Sequence, residues 1–467
     1  MPRFDLSSQR TPLALQYAYL GTLAYLLVNL GGVDPYSLHI GALLAAAMTA
    51  VAAFLPVHNR AVQRLGLAAG LILTALAMLA LVQSLRWDGN PFEHPAWQTA
   101  REVLGPVSGA ISVSPAQTRN SLLALAPVLG FLVVLRAVAD QDGALAMLRR
   151  LAYLSAVAAA FGLIELFFFP TDPLSAGVNP YRNSLTSFFV NRNSAGTFFG
   201  LGLLVSVAFC FHHLRTIEPE KFLARLGGRS GRSSRSERRF LLFTGLAFIQ
   251  LLALFLTQSR GAIGATLLAL LLFVAIMARH RLTASRNAAL PASWLRLAKL
   301  GGLALGLWLI YLLLGGRVAY RIERAGLDDT RFCAFGLMGR ALVDNLPLGT
   351  GFGTFQDIFP AYRDHDCAGI AGVWDAAHNG LIEGGMGLGL LFLVLAPVAI
   401  VLLARAFLTG LRERQRYRFV PALGLAGLLL ISLHSLVDFS LQIPAVAFYA
   451  AAILGCCTVI SLGRREA

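Results

Sequence analysis

Chemistry in this chain gathers where apolar runs meet polar turns. His378 stands at such a seam, between a polar stretch ending at Ala377 and a long apolar run opening at Gly380. An imidazole at a membrane–water boundary can take up and pass on a proton near neutral pH, which makes His378 the candidate general base for activating a hydroxyl. Arg192 and Arg260 stand at similar seams. A guanidinium keeps its charge and matches phosphate through paired hydrogen bonds, so two of them suit a pyrophosphate. Snorkelling to a lipid phosphate is the plainer reading of Arg260, because an arginine so close to hydrocarbon must snorkel or pair. Asn193 and Asn379, each next to one of these residues, are candidates to touch the same anion. Glu383 follows Asn379 by four residues and either orients the His378 region or is satisfied within the bundle. His434 and Asp438 are also four apart, so on a helix they would share a face. A local pair tying helices together is the favoured role for them.

These residues need elements to carry them, and composition says which. Of the 467 residues, 57% are hydrophobic and 13% charged, with a mean hydropathy of +0.67. That is too little charge to cover a soluble protein of this size. Apolar runs of about 20 residues recur along the chain and predict an all-α polytopic membrane protein. The runs are continuous rather than alternating, which argues against a membrane β-barrel. Twelve spans are predicted, near 13–31, 36–57, 65–84, 119–136, 148–169, 193–213, 240–258, 261–279, 298–315, 379–404, 419–437 and 443–462. The first is long enough to stay as a span rather than be cleaved as a signal peptide. The chain reads as one membrane domain over 1–467, with a basic loop at 214–239 and a long loop at 316–377.

Alternating the connections places most of the 39 lysines and arginines on one side. The positive-inside rule then predicts cytoplasmic termini and an external 316–377 loop. The net charge of +15 is accounted for by this topology, so nucleic acid is not expected as a partner. The stretch Gly227 to Ser236 reads as a flexible cytoplasmic linker; its arginines set topology or meet anionic lipid. Cys210, Cys456 and Cys457 fall in spans as packing residues. Cys333 and Cys367 fall in the external loop, where a disulfide is permitted. Within that loop, 331–345 has the helical spacing of Phe332, Phe335, Leu337, Leu342 and Val343, and is predicted to lie on the membrane surface or cap the bundle. Pro347-Leu348-Gly349-Thr350-Gly351-Phe352-Gly353 breaks that helix and reads as an ordinary glycine-rich turn, the favoured reading, or as backbone free to approach a ligand. Asp364-His365-Asp366 lacks metal-ligand spacing, so no metal is expected.

Five stretches in order carry a resemblance. They are Phe188 to Gly196, Thr257 to Gly261, Pro347 to Gly353, Ala377-His378-Asn379 with Gly384 to Leu391, and His434 to Phe439. Together they resemble the superfamily of O-antigen ligases and Wzy-type polymerases, over about 188–445. Gly384-Gly385 departs from the bulkier residues often found there. The resemblance implies a GT-C-like bundle in the bacterial inner membrane with a periplasmic active site. It implies a glycosyltransferase that takes a glycan from undecaprenyl pyrophosphate and needs neither metal nor nucleotide sugar. Lipid A–core would be the acceptor for a ligase, and another lipid-linked repeat for a polymerase. A transporter or flippase is the reading from another class, but such proteins show related halves and midplane charges, and neither is visible here.

Overall fold

The computed structural model describes residues 6–56, 59–138, 140–169, 184–218, 221–222, 225, 233–284, 330–363 and 373–463, and the regular elements among them are all helical. Ten helical stretches are long and apolar enough to cross a membrane, and Phe419–Ser435 is a shorter apolar helix. They account for eleven of the twelve expected spans; 298–315 lies outside the described residues. In chain order the helices are α1 (Leu6–Val28), α2 (Pro35–Ala53), α3 (Arg60–Gln83), α4 (Ala96–Leu104), α5 (Pro115–Ser121), α6 (Ala126–Ala137), α7 (Gln141–Phe168) and α8 (Arg192–Leu214). Then come α9 (Arg235–Leu256), α10 (Arg260–Ala284), α11 (Thr330–Asp344), α12 (Phe355–Ile358), α13 (Gly380–Glu413), α14 (Phe419–Ser435) and α15 (Pro444–Leu462).

Several helices start outside their apolar runs because polar side chains cap them. Asp140 accepts from the backbone N–H of Gly143 at 2.7 Å and opens α7 seven residues ahead of the expected span. Ser234 accepts from the N–H of Glu237, whose carboxylate accepts from the N–H of Ser234, and this reciprocal pair opens α9. The last residues of the expected Gly227–Ser236 linker are therefore helix cap and first turn.

Successive spans run antiparallel and sort the connections into two ends. α8 and α15 form the centre, with 83% and 89% of their apolar windows buried against 11% for α3 on the periphery. One end of the bundle carries the basic connections. The other, the site end, gathers the α1–α2 turn, the segment after α3, the segment before α8, the α9–α10 turn, the chain from α11 to α13 and the α14–α15 turn. These segments interlock: the N–H of Leu185 donates to the carbonyl of Leu256 at 2.9 Å, and that of Val113 to Thr350 at 2.9 Å. Among the described residues the four non-glycine residues with positive φ are Leu30, Ser187, Gln258 and His378, all at this end.

The expected span at 379–404 is corrected. A straight helix over the 34 residues Gly380–Glu413 would be about 51 Å long, against a hydrocarbon core of about 30 Å. Gly389 breaks it, with φ +60° and ψ −149°, a conformation essentially reserved to glycine. The two limbs fold against each other, so Phe392 fills the space beside Gly384 and Leu393 that beside Gly385. That is why small residues stand at Gly384-Gly385. The limb from 390 to 413 makes the crossing, about 36 Å by itself, and 380–388 is a separate short helix.

The glycine-rich stretch satisfies the backbone this break sets free. The N–H of Thr350 donates to Met386 O at 2.8 Å, that of Gly351 to Gly387 O at 3.1 Å, and that of Leu390 to Pro347 O at 2.9 Å. Gln83, at the end of α3, donates its amide to Leu348 O at 2.7 Å and to Gly387 O at 2.8 Å. A side chain at Gly349 would collide with the α13 backbone at 2.6 Å. Pro347 to Gly353 is thus not the ordinary turn expected: it packs directly on the α13 backbone.

Beyond the break lies a cap with its own core, built from Ala334, Leu337, Met338, Ala341, Phe355 and Phe359 against Met386. α11 therefore caps the bundle, with Val343 exposed rather than buried; the Phe332 side chain lies outside the described residues. His94 Nε2 and Asn345 Oδ1, 3.0 Å apart, join the cap to the segment after α3. Cys210, Cys456 and Cys457 are free thiols. The Cys333 side chain and Cys367 lie outside the described residues, as do Asp364, His365 and Asp366.

Candidate functional site

The site is built around His378 and Asn379, the residue pair that leads into α13. Asn379 caps the helix, its Oδ1 accepting from the N–H of Leu381 at 3.0 Å and of Ile382 at 3.1 Å. Its Nδ2 donates to Leu436 O at 2.9 Å and so pins the start of α13 to the end of α14. One turn on, Glu383 Oε2 accepts from the N–H of Ala377 at 2.8 Å, and the Gln442 side chain acts on the same carboxylate. The residues on both sides of His378 are therefore anchored. This holds His378 at φ +51°, a left-handed conformation that surrounding structure must enforce. Its ring lies edge-on to Trp374 at 5.9 Å and 4.9 Å from Phe439.

His378 Nδ1 is 3.6 Å from Asp438 Oδ2. At that distance the contact is electrostatic, and a closure of under about 1 Å would complete a hydrogen bond. Asp438 is 1% exposed and His378 24%. Burial pushes the Asp438 carboxyl up, but the facing His378, the charge of His434 and the Ser440 hydroxyl together hold it below its usual value. A buried anion beside an imidazole fixes its orientation.

Asp438 is tied in turn to α8. Asn193 Nδ2 donates to Asp438 Oδ2 at 2.5 Å, and Ser440 Oγ donates to Oδ1 at 2.7 Å. Thr197 Oγ1, one turn after Asn193, donates to Asn193 O at 3.1 Å and lies 2.7 Å from His434 Nδ1. With the Thr197 hydroxyl so used, His434 Nδ1 is the donor in this pair. His434 and Asp438 do not share one helical face as expected, because α14 ends at Ser435. Ser440, 3.4 Å from His434 Nδ1, links them instead. The His434 ring lies over Gly261, where a Cβ would meet it at 3.1 Å.

Both arginines begin helices at this end. Arg192 is the first residue of α8, half-buried, next to the Asn193 that holds Asp438. Arg260 is the first residue of α10, exposed, next to the Gly261 on which His434 rests. Neither helix has an acidic residue in its first turn. A cation at a helix N-terminus opposes the macrodipole, so an anion seated there would suit both the dipoles and the guanidiniums.

The structure thus brings His378, Asn193, His434 and Asp438 into one network, and places Arg192, Arg260, Asn379 and Glu383 on its elements. Asn193 and Asn379, expected at a substrate anion, are held in the framework: one grips Asp438, the other caps α13. Thr197, Trp374, Phe439, Ser440 and Gln442 were missed by sequence reasoning. Thr197 carried a usable signal, a polar residue one turn from Asn193 in an apolar run. The other four come close only through folding. Among the described residues no group of three or more His, Cys, Asp or Glu is placed to hold a metal. No family model matches the chain, and no curated protein is similar to it at a significant level.

Proposed function

We propose that the chain is a GT-C-like membrane glycosyltransferase that moves a glycan from undecaprenyl pyrophosphate to an acceptor hydroxyl, as an O-antigen ligase does with lipid A–core. The observation that carries this reading is His378, held in an enforced conformation at a polar–apolar seam with an anionic, buried Asp438 behind it. His378 accepts the proton of the acceptor hydroxyl as its oxygen attacks the anomeric carbon. The bond from that carbon to the pyrophosphate oxygen breaks, and undecaprenyl pyrophosphate leaves with the electron pair. Its growing negative charge is met by Arg192 and Arg260 at the starts of α8 and α10. Attack from the face opposite the leaving group inverts the anomeric centre. Asp438 is a positioning residue here, acting through His378.

The positive-inside rule supports placing the basic end in the cytoplasm and the site in the periplasm of a bacterium. The test supplies the purified chain with lipid-linked glycan and each acceptor. Transfer to lipid A–core with an inverted linkage upholds the ligase reading. Chain growth on the prenyl carrier makes the protein a Wzy-type polymerase with the same chemistry. No transfer to either acceptor, from protein that is folded and binds the donor, sinks the enzyme reading in favour of a polysaccharide transporter.

A further inference from the structure

The cap is fastened to the segment after α3 through an imidazole. His94 stands half-buried just before α4. Its backbone is fixed: the N–H donates to Ala110 O at 2.9 Å, and the carbonyl accepts from the N–H of Trp97 at 3.0 Å. The ring is used at both nitrogens. The N–H of Ala96 donates to Nδ1 at 3.1 Å, and Nε2 lies 3.0 Å from Asn345 Oδ1.

Asn345 decides which nitrogen carries the hydrogen. Its Nδ2 donates to Ala341 O at 2.7 Å and to Tyr362 Oη at 3.1 Å, so its Oδ1 is the acceptor that faces His94. Nε2 is therefore the donor and Nδ1 the acceptor, an arrangement that only the neutral ring can make. Through Asn345 the ring holds both α11 and the short helical turn Phe359–Tyr362. That turn carries Phe359, whose ring is 6.0 Å from Trp374, and Trp374 is 5.9 Å from the ring of His378. The His94 contact thus fixes the part of the cap that walls one side of His378.

A second proton has no place here. On Nδ1 it would face the N–H of Ala96, and its charge would sit in a half-buried spot. Burial lowers the His94 pKa from its ordinary value of 6.5 and prevails over Asn345, whose oxygen favours the charged ring. Of the charged and titratable groups around it, Glu93 is paired with Arg101 and Arg86 lies over Trp97 on its own segment. On the cap side, Asp344 and Tyr362 act on each other.

We propose that His94 is a proton-sensitive latch on the cap. Neutral, it holds Asn345 and keeps the cap in place beside His378. Protonated, its ring turns out to water and releases α11 and the turn at 359–362. The released ring binds a proton more readily than the fastened one, so the latch weakens as pH falls below 6.5. The latch belongs to the fold and stands whatever the site at His378 transfers.

The test is hydrogen–deuterium exchange of the full chain in detergent between about pH 7.5 and 5.5, with rates corrected for the intrinsic pH dependence of amide exchange. Protection over 335–345 and 358–362 is expected to fall by up to about tenfold per pH unit below the ordinary histidine value. His94→Gln keeps an amide donor for Asn345 and does not titrate, so its protection should stay level over the same range. Asn345→Ala should be poorly protected at every pH. A parent whose protection stays level overturns the proposal by itself. So does an equal fall in His94→Gln, or a fall with pH that survives in Asn345→Ala.

Discussion

The two ends of the bundle handle charge in opposite ways. At the site end a buried carboxylate, Asp438, is wrapped by Asn193, Ser440 and the facing His378, and the backbone is bent into left-handed turns to bring them there. At the basic end the His212 ring packs against Phe419 and Tyr417, with its Nδ1 buried and unpartnered. The first arrangement is closed upon itself and stiff, which suits the positioning of a proton acceptor. The second sets aromatic rings at a topologically basic end, where Glu237 pairs with Arg225. Burial near a charge means little by itself; what decides its role is whether the protein supplies the opposite charge.

The sharpest way to break this contrast is to remove the base proposed for the site end. His378→Ala is expected to lower glycan transfer by about 10²- to 10⁴-fold at unchanged protein level. Near-normal transfer would show that the stiffness of the site end serves something else. Arg260→Ala is expected to cost about 10²- to 10³-fold in kcat, with Arg260→Lys recovering only part of it. Full recovery by lysine would reduce its role to a point charge.

Asp438→Asn is expected to cost roughly tenfold at neutral pH, because the imidazole loses its oriented anion. Unchanged transfer by Asp438→Asn would contradict this. The same variant tests linkage. The folded carboxyl titrates below its ordinary value of 3.8. Its contribution to stability is therefore present above that value and lost as pH falls through the folded pKa. The parent should lose Tm more steeply than Asp438→Asn on acidification below about pH 4. Parallel curves would mean that the network does not hold the carboxylate ionised.

Smaller effects are expected in the scaffold. Gly389→Ala forces a Cβ into a glycine-only conformation against the carbonyl of Pro347, and should destabilise the protein by about 1–3 kcal/mol. Gln83→Ala leaves Leu348 O and Gly387 O without its amide and should cost about 1–2 kcal/mol. Both are read from thermal unfolding in detergent. An unchanged Tm in either would show that the break in α13 does not depend on the glycine-rich loop.

Span positions were legible because each is a local property: about 20 apolar residues suffice, and α8 or α15 can be read without knowing its neighbours. The sharing of one membrane side by His378, Arg192, Arg260 and Asp438 followed from alternation alone. The helix extensions at Asp140 and Ser234 were less visible, since a cap adds polar residues to a helix that hydropathy would assign to a loop. The fold-back of α13 was hidden for a related reason. Hydropathy runs without interruption through Gly389, and only the carbonyls and N–H groups of 347–351 arriving beside it make the break affordable.

The sequence by itself determined that this is a many-spanning helical membrane chain with its polar candidates on one side and its basic residues on the other. Those are consequences of composition and periodicity along a line. Only the tertiary structure decided that Asn193 grips Asp438 across 245 positions, that Ser440 joins His434 to it, and that Gln83 reaches the carbonyls of Leu348 and Gly387. Hydrogen bonds and charge contacts reach a few ångströms, and which residues come that close is set by helix packing rather than by separation along the chain.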